Sequence, residues 1–445
     1  MRITAPIWAD VADRAWPTLP PGTTRTDVAV IGGGFAGLSA AYHVLGRRPG
    51  ARVIVLEAER LGAGASGRTT GILSPGVGQD LGALVRRLGE SRAKALYLAS
   101  LRAVDDVVAL VAAERIPCEL EMTGQLVVAG RSRGGRARLA VLAGLLARLG
   151  LDVGLEVLDE NALAGVIRLP GTPPFVDAGP AALRLPRAGT LHPMRLVSGL
   201  AERVIARGGS IAEGCRVTAV DDGRPVRVEL DGGGTVIADD VVVATAGYTP
   251  SLGLLRGRIL PMHIQVLVTA PLGGEALEAL GWKGREALLD ARRIFSYARL
   301  TADDRIVFGG GVPRYRWGGD TGDDPGAADA LDRLSAELRQ TFGVDGPLSV
   351  DGGWTGVIGY VLDALPAIQR MRGNPSVLHA VGWCGHGVAL SIASGAWVAA
   401  ILCDGAAPED LPWFRDDPPL LPLEPLRWLG ARATVRAMAW LDRIA

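Results

Sequence analysis

A strand, a glycine-rich turn, a helix and a second strand ending in an acid follow one another within residues 27–57. Residues 27–31 read Asp-Val-Ala-Val-Ile, a run typical of a strand buried on both faces. Gly32, Gly34 and Gly37 form a Gly-x-Gly-x-x-Gly turn, and Glu57 ends the second strand. With strand, helix and acid in register, the turn predicts a dinucleotide-binding βαβ unit rather than an ordinary glycine-rich turn.

Each part of this unit has its own physical role. Gly32 permits the tight turn, Gly34 lets the backbone approach a pyrophosphate, and Gly37 lets the helix pack closely on the strand. The helix N terminus supplies unpaired N–H groups and the positive end of a dipole for the phosphates. Glu57 is expected to accept hydrogen bonds from ribose hydroxyls, and an acid here disfavours the 2′-phosphate of NADP.

Charge and cysteine usage exclude several classes of function. The 445 residues include 47 basic and 47 acidic side chains, and a formal net charge of zero argues against a nucleic-acid partner. The four cysteines are scattered, without a disulfide framework or a Cys/His cluster at metal spacing, so we expect no metal and a cytoplasmic location. Residues 1–16 lack the pattern of a signal peptide. Residues 377–403 are apolar but interrupted by histidines and glycines, which predicts a buried strand, turn and helix rather than a membrane span.

The segment after Glu57 narrows the choice of dinucleotide. Residues 62–71 read Gly-Ala-Gly-Ala-Ser-Gly-Arg-Thr-Thr-Gly. This segment resembles the D-amino-acid-oxidase-like family of FAD-dependent oxidoreductases, in which a similar segment lies along the FAD. The resemblance is closest to the branch of γ-glutamylputrescine oxidoreductase, glycine oxidase and sarcosine oxidase. Thr69-Thr70 departs from the Asn-Gly that is frequent in this branch.

Later blocks extend the resemblance over nearly the whole chain. They are residues 189–220, 240–248, 353–366 and 381–388, the last with Cys384 in place of the usual serine. Because that serine belongs to relatives with non-covalent flavin, the resemblance implies non-covalent FAD. The fingerprint and the resemblance together assign these residues to FAD: Gly32, Gly34, Phe35, Ala36, Gly37, Glu57, Ala58, Ala65, Ser66, Gly67, Arg68, Thr69, Thr70, Gly71, Val217, Thr245, Ala246, Gly247, Trp354, Gly385, His386, Gly387 and Val388.

The resemblance implies oxidation of the C–N bond of an amine or amino acid to an imine. Negative charge then develops at one edge of the flavin, where the Gly385–Gly387 turn can aim backbone N–H groups. His386 either adds positive charge there or is a buried imidazole bonded to backbone. Trp354 either walls an amine pocket or belongs to the core.

Candidate substrate-binding residues come from two predicted strands, 258–270 and 293–300. In the first, Pro261, His263 and Gln265 share one face, and His263 is the first candidate for a catalytic base. In the second, Arg293, Phe295, Tyr297 and Arg299 share one face. In the resembling enzymes a tyrosine or arginine on such strands often holds the substrate carboxylate, a role that Tyr297 and Arg299 fit. The alternative for Arg299 is a solvated surface position.

The electron acceptor is left open. Many amine oxidases of the resembling family use a lysine near the flavin to promote reaction with O2, and Lys283, in an apparent exposed turn, is the single lysine in that part of the chain. O2 is then activated by an arginine or histidine, or another acceptor is used. A second hypothesis is a flavoprotein dehydrogenase subunit that passes electrons to a partner or quinone through the C-terminal tail. A third is a different reaction on the same fold.

The blocks predict a Rossmann-like α/β lobe interleaved with an α+β substrate lobe built on a mostly antiparallel sheet. The predicted FAD-binding domain comprises residues 27–79, 187–255 and 347–405, and the substrate domain comprises 80–186 and 256–346. An N-terminal arm covers residues 1–26. Residues 406–445 form a proline-rich strap, at 406–425, and an amphipathic C-terminal helix, at 426–444. This helix docks on its own protein, on a partner or on a membrane surface.

Overall fold

Two eight-stranded sheets dominate the architecture, as the sequence predicts. The computed structural model describes residues 1–9, 14–130, 134–169, 179–343 and 348–444.

The bounds of the regular elements are as follows. The strands are β1 (Gly22–Ile31), β2 (Val53–Leu56), β3 (Ile72–Leu73), β4 (Gln125–Val128), β5 (Glu156–Leu158), β6 (Ala182–Leu185), β7 (Gly189–Thr190), β8 (Ser210–Ala212), β9 (Val217–Val220), β10 (Val226–Leu230), β11 (Gly234–Val243), β12 (Leu260–Thr269), β13 (Ala287–Asp290), β14 (Tyr297–Leu300), β15 (Ile306–Tyr315), β16 (Val350–Tyr360), β17 (Ala367–Arg370) and β18 (Val377–Val381). The helices are α1 (Phe35–Arg47), α2 (Leu81–Leu88), α3 (Glu90–Ala113), α4 (Gly135–Arg148), α5 (Glu160–Val166), α6 (Pro193–Ala206), α7 (Gly274–Leu280), α8 (Ala327–Phe342), α9 (Gly387–Asp404) and α10 (Leu426–Ile444).

The first sheet carries the predicted dinucleotide unit. Six of its strands follow the order β17-β18-β11-β1-β2-β8, of which the five from β18 to β8 run parallel. The other two are β10, antiparallel to β11, and β9, antiparallel to β10. β1 lies in the centre, with Ala29 paired to Ile54 of β2 on one side and to Val241 of β11 on the other. From β1 the chain continues to β2, on one side of β1, and later reaches β11, on the opposite side of β1. The strand order therefore reverses between β1 and β11, where ligands bind in open α/β sheets.

Helix α9 forms the centre of the core beneath this sheet. It packs against α1 and α3, and its contact with α1 is close because Gly395 lies directly against the backbone of Ser39. By length and hydropathy α9 is the one helix among the described residues that meets the criteria for crossing a membrane, yet 72% of it is buried inside the fold. It is accommodated as a core helix.

The second sheet has two faces that contact different parts of the molecule. Its order is β16-β12-β15-β14-β13-β4-β6-β5, antiparallel except between β13 and β4. One face, with Leu267 and Phe308, packs on α8. The other face, with Val266, Val307 and Trp354, belongs to the main core shared with the first lobe. This second face is called the inner face below.

The structure corrects three boundaries of the sequence analysis. β16 pairs with β12 over its whole length and so belongs to the second sheet, although residues 347–405 were assigned to the FAD domain. Residue 347 itself lies outside the described residues. β14 begins at Tyr297, so Arg293 and Phe295 precede the strand instead of sharing a face with it. β1 begins at Gly22, within the predicted arm.

Both ends of the chain pack on the second lobe. Ile3 forms a β-bridge with Gly353 of β16, and the Trp8 side chain is 2% exposed. Helix α10 has the predicted bounds, and Asp442 near its end accepts hydrogen bonds from the backbone N–H groups of Arg293 and Ile294. The C-terminal helix therefore docks on its own protein along one side.

We expect Gly395→Ala to destabilise the fold. A Cβ at Gly395 overlaps the Ser39 backbone, so α1 and α9 must separate, at a cost of about 1–3 kcal/mol. The matched control is Gly144→Ala in the exposed interior of α4, where a Cβ meets nothing within 4 Å. This control is expected to stabilise the protein by about 0.5–1 kcal/mol. Thermal unfolding followed by circular dichroism measures both, and equal shifts contradict the packing argument.

Candidate active site and cofactor cleft

The predicted dinucleotide-binding residues meet at one edge of the first sheet. Gly32 follows β1, Glu57 follows β2, Thr245 follows β11, and the turn at Gly385 follows β18. These strands are parallel, so their carboxyl ends lie side by side. At the point where the strand order reverses, a Cβ on Gly32 comes within 2.7 Å of the Ala244 carbonyl oxygen. A residue larger than glycine does not fit there.

The N terminus of α1 is open to an anion. Its N-cap residue, Gly34, has extended backbone and makes no side-chain capping bond. The Phe35 N–H donates to the Ser66 hydroxyl at 3.0 Å, which holds the small-residue segment 65–71 against the turn. A Cβ on Gly37 overlaps the Gly32 carbonyl oxygen, so helix and turn pack at backbone contact. This is the geometry expected for a pyrophosphate at a helix N terminus.

Glu57 is oriented by backbone donors. Its carboxylate accepts hydrogen bonds from the N–H groups of Gly33 at 2.8 Å and Glu59 at 3.0 Å. Burial raises the pKa of Glu57. The carbonyl of Glu57 accepts from the Cys215 N–H at 2.8 Å, which brings Val217, the first residue of β9, close to the acid. The structure therefore brings together Glu57 and Val217, the two residues that the sequence analysis assigns to the adenosine part of FAD.

The segment 65–71 is fixed by the other lobe. Trp354 on β16 donates its indole N–H to the Arg68 carbonyl at 2.9 Å, and Trp8 of the arm does the same to the Thr69 carbonyl at 2.9 Å. The Arg68 guanidinium donates to the Thr355 carbonyl at 2.9 Å. Thr70 is buried. Trp354, assigned to FAD or to the core by sequence, is 1% exposed and holds the backbone of this segment.

Residues 245–247 complete the contact between the lobes. The Thr245 and Thr249 hydroxyls are 2.9 Å apart, and Ala246 has a positive φ of 46°. A Cβ on Gly247 lies 3.1 Å from the carbonyl carbon of Ile358 on β16. The predicted cofactor residues after β11 thus touch the second sheet directly.

The turn before α9 presents backbone N–H groups. Gly385 and Cys384 have positive φ angles of 90° and 49°, and no side chain caps the N terminus of α9. The His386 ring lies beside Gly76, and its Nδ1 is buried without a hydrogen-bond partner among the described residues. Burial lowers the pKa of His386, so its imidazole is neutral at neutral pH. Of the two alternatives for His386, the buried imidazole is favoured over the added positive charge.

Tyr297 and Arg299 lie on the inner face of the second sheet. Tyr297, Gly309, Val266 and Trp354 are paired across four adjacent strands and therefore point to the same side. Gly309 makes room for the Tyr297 ring, since a Cβ there overlaps it. Burial raises the pKa of Tyr297 to about 12, so the phenol stays protonated at neutral pH.

Arg299 is a buried cation without a carboxylate partner. Its side chain is 3% exposed, and the Nε and Nη2 atoms have no hydrogen-bond partner within the described part of the chain. The guanidinium lies 5.1 Å from the centre of the Trp8 ring. Burial lowers the pKa of Arg299 to about 10, so it is still charged at neutral pH. The alternative of a solvated surface arginine is wrong.

Sequence reasoning missed Tyr360. It ends β16, two residues beyond Ile358 and six beyond Trp354, and alternation places all three on the inner face. A Cβ built on Gly385 lies 3.7 Å from its hydroxyl, and burial raises its pKa. The period-two alternation from Trp354 was the available signal, had β16 been assigned to the second sheet.

His263 is separated from this group. It shares a face with Gln265 and Leu267, which is the face that packs on α8. Its Nε2 is 2.9 Å from the Asp320 carbonyl oxygen, and its side chain is 2% exposed. The structure therefore does not bring the first candidate base together with Tyr297 and Arg299. Lys283 is exposed, as its turn sequence predicts.

Comparison with known proteins identifies the family. The model of the "FAD dependent oxidoreductase" family matches residues 27–401. The chain belongs to this family. It is 30% identical over 382 residues to "Gamma-glutamylputrescine oxidoreductase" of Escherichia coli K12, covering 84% of this chain and 83% of that protein. It is 26% identical over 411 residues to "Sarcosine oxidase subunit beta" of Rhizobium meliloti, covering 89% of each. Glycine oxidase from Geobacillus kaustophilus has the same fold, with a TM-score of 0.70, 20% identity and coverage of 88% of this chain and 99% of that one.

The predicted resemblance and cofactor are thereby confirmed: the chain is an FAD-dependent oxidoreductase. The family and these relatives together support FAD-dependent oxidation of a C–N bond in an amine or amino acid, with an electron acceptor. The residues present fit FAD, because the N termini of α1 and α9 lie at the same edge of the sheet, beside an acid oriented by backbone donors. Within the described residues no group of three or more His, Cys, Asp and Glu is arranged to hold a metal ion.

We expect Glu57→Gln to weaken FAD binding roughly tenfold or more, because hydrogen bonds to a charged acceptor are worth about 1.5–3 kcal/mol. Glu59→Gln is the matched control: its side chain is exposed and lies two residues further on. Reconstitution of each apoprotein with FAD, followed by quenching of flavin fluorescence, gives the dissociation constants. Equal affinities in the two variants remove Glu57 from the cofactor site.

Proposed function

We propose that the chain oxidises the C–N bond of a substrate that carries a carboxylate beside the amine, that is, an amino acid or an N-substituted amino acid. The observation that carries this proposal is the unpaired guanidinium of Arg299 on the inner face. The names of two relatives agree with it, since sarcosine and glycine are amino acids.

The argument rests on the free energy of a buried charge. An isolated cation in a protein interior costs several kcal/mol unless an anion or hydrogen-bond acceptors compensate it. Arg299 has a tryptophan ring beneath it, whose cation–π contribution is about 0.5–2 kcal/mol. Two of its nitrogens are free to bind a planar carboxylate in the bidentate manner that arginine favours.

The other groups on this side then have defined roles. The Tyr297 and Tyr360 hydroxyls remain protonated at neutral pH and donate hydrogen bonds to the bound substrate. Neutral His386 can accept a proton at Nδ1, the atom that lacks a partner. The free N–H groups at the start of α9 stabilise negative charge that develops in the cleft. FAD, when bound, would accept a hydride equivalent from the substrate carbon.

The Arg299 guanidinium is also relevant to the electron acceptor that reoxidises the flavin. Among the described residues the two lysines, Lys94 and Lys283, are outside the inner face, and Arg299 is its buried cation. A dehydrogenase that uses an acceptor other than O2 and an oxidase whose O2 chemistry is assisted by arginine are both compatible with this arrangement. We propose a cytoplasmic enzyme with FAD bound non-covalently, since the Cys384 thiol donates to the Gly382 carbonyl and burial raises its pKa to about 12.

We expect Arg299→Gln to raise KM for the amino acid about 100-fold, because loss of a buried charged partner costs about 2–5 kcal/mol. The KM for amines without a carboxylate should rise far less. An anaerobic titration with amino acids and their decarboxylated amines, followed by bleaching of the visible flavin absorption, measures both.

Arg305→Gln is the matched control, since it removes a guanidinium that lies just before β15 and that Asp303 and Asp351 already neutralise. That variant should keep the wild-type preference. If none of the amino acids and amines bleaches the flavin, the proposed function is wrong. If Arg299→Gln raises KM equally for amino acids and for amines without a carboxylate, only the role of Arg299 is wrong.

The preference for a carboxylate should also depend on pH. Arg299 is cationic below its pKa of about 10, so affinity for the anion is present at neutral pH and is lost as the pH rises through that value. The ratio of kcat/KM in the wild type to that in Arg299→Gln, measured with one and the same amino acid, cancels the titration of the substrate amine. From neutral pH to about pH 11 this ratio should fall toward one as Arg299 loses its charge. A ratio that does not change with pH contradicts the assignment.

A further inference from the structure

Helix α10 carries apolar residues on its outer side as well as on its inner side. Half-buried positions at 428, 431, 435, 439 and 442 recur at helical spacing and face the protein. A second set of positions with the same spacing is exposed and apolar. The outward stripe consists of Leu426, Leu429, Ala433, Ala437 and Trp440.

The exposure of this stripe is large. Leu426 is 65% exposed, Leu429 52% and Trp440 58%. The strap that leads into the helix adds Leu420 at 63% and Leu423 at 78%. Single exposed apolar residues are ordinary, but a contiguous set of large ones marks an interaction surface.

The orientation of the helix is fixed by its inner side. The Asp442 side chain, 6% exposed, accepts hydrogen bonds from the backbone N–H groups of Arg293 and Ile294. The Trp428 ring contacts that of Trp317 at 6.0 Å between centroids. The apolar stripe is thus held outward and is not free to turn inward by rotation of the helix.

The charges of α10 are distributed asymmetrically. Arg432 and Arg436 are exposed and border the stripe on one side. The one acid of the helix, Asp442, is turned inward and paired with Arg293. The outward surface therefore combines leucine, tryptophan and arginine without a carboxylate from α10, although the chain as a whole has a formal net charge of zero.

We propose that this surface, here called the α10 stripe, binds the surface of a lipid bilayer that contains anionic headgroups. Leucine and tryptophan enter the boundary between headgroups and acyl chains, and Arg432 and Arg436 pair with the headgroup phosphates. The helix lies in the plane of the bilayer, since its inner side stays on the protein. This binding is independent of the proposed substrate.

The lipid surface fits better than a second copy of the chain. A two-fold symmetric contact through α10 places the same patch of both copies face to face. Arg432 and Arg436 of both copies then lie in one interface with no α10 carboxylate to pair with them. An anionic surface supplies the missing negative charge.

The test uses the full-length protein loaded with FAD and cosedimentation with large vesicles. Vesicles of phosphatidylcholine alone are compared with vesicles that also contain phosphatidylglycerol, at low and high salt. We expect sedimentation that requires phosphatidylglycerol and weakens with salt. Each arginine near such a surface contributes about fivefold, so Arg432→Gln with Arg436→Gln should lower the partition coefficient roughly 25-fold.

Two further double variants distinguish binding through the α10 stripe from loss of the fold and from loss of positive charge elsewhere on the surface. Leu429→Ser with Trp440→Ser should also weaken binding, and flavin content and unfolding midpoint confirm that the fold is kept. Arg333→Gln with Arg339→Gln removes two exposed arginines from α8 and should bind as the wild type does. Three results overturn the proposal: no dependence on phosphatidylglycerol, stripe variants that bind as the wild type does, or a solution dimer that Trp440→Ser dissociates.

Discussion

The close contact between α1 and α9 is the interaction on which the cofactor cleft depends. Gly395 brings α9 against the backbone of Ser39, whose hydroxyl donates to the Ile392 carbonyl at 2.5 Å in the buried interface. The two helices follow parallel strands, so their N termini open at the same edge of the sheet. Two positive dipole ends thereby lie at one edge, where they would face the pyrophosphate and the flavin of a bound FAD. A shift of either helix moves one end of that site relative to the other.

The second lobe is attached to the first through backbone groups of the cofactor segment. Trp354 and Trp8 donate to consecutive carbonyls, those of Arg68 and Thr69. The Arg68 guanidinium adds a third hydrogen bond, to the Thr355 carbonyl. Because the same sheet face carries Tyr297 and Arg299, these bonds position the proposed substrate side relative to segment 65–71. The site is therefore one unit, although its residues come from two sheets and from the first residues of the chain.

The sequence predicted well what is determined locally. The order strand, glycine turn, helix, strand and acid identifies the βαβ unit because each glycine of the turn is required by a backbone approach within a few residues. The bounds of α10 followed from the end of the proline-rich strap and the amphipathic composition of the tail. These features are short-range, and tertiary context does not change them.

The sequence could not determine which face of a doubly buried strand points toward the cleft. In β12 both faces are buried, so alternation places His263 with Gln265 but does not say on which side they lie. The register with β16 decides that question, and β16 is nearly a hundred residues further along the chain. Tyr360 was missed for the same reason. The sequence predicted Arg299 as a candidate for binding the substrate carboxylate. Its burial could not be predicted, because its environment includes Trp8, almost three hundred residues before it.

The arm places part of the binding chemistry outside the region that defines the family. The family match begins at residue 27, yet Trp8 lies beneath the Arg299 guanidinium and holds the carbonyl of Thr69. A protein shortened to the family region would keep every cofactor motif and still lose the aromatic floor of the proposed carboxylate site. Members of the family can therefore share the cofactor machinery and differ in substrate preference through a short segment that comparison of the common domain does not include.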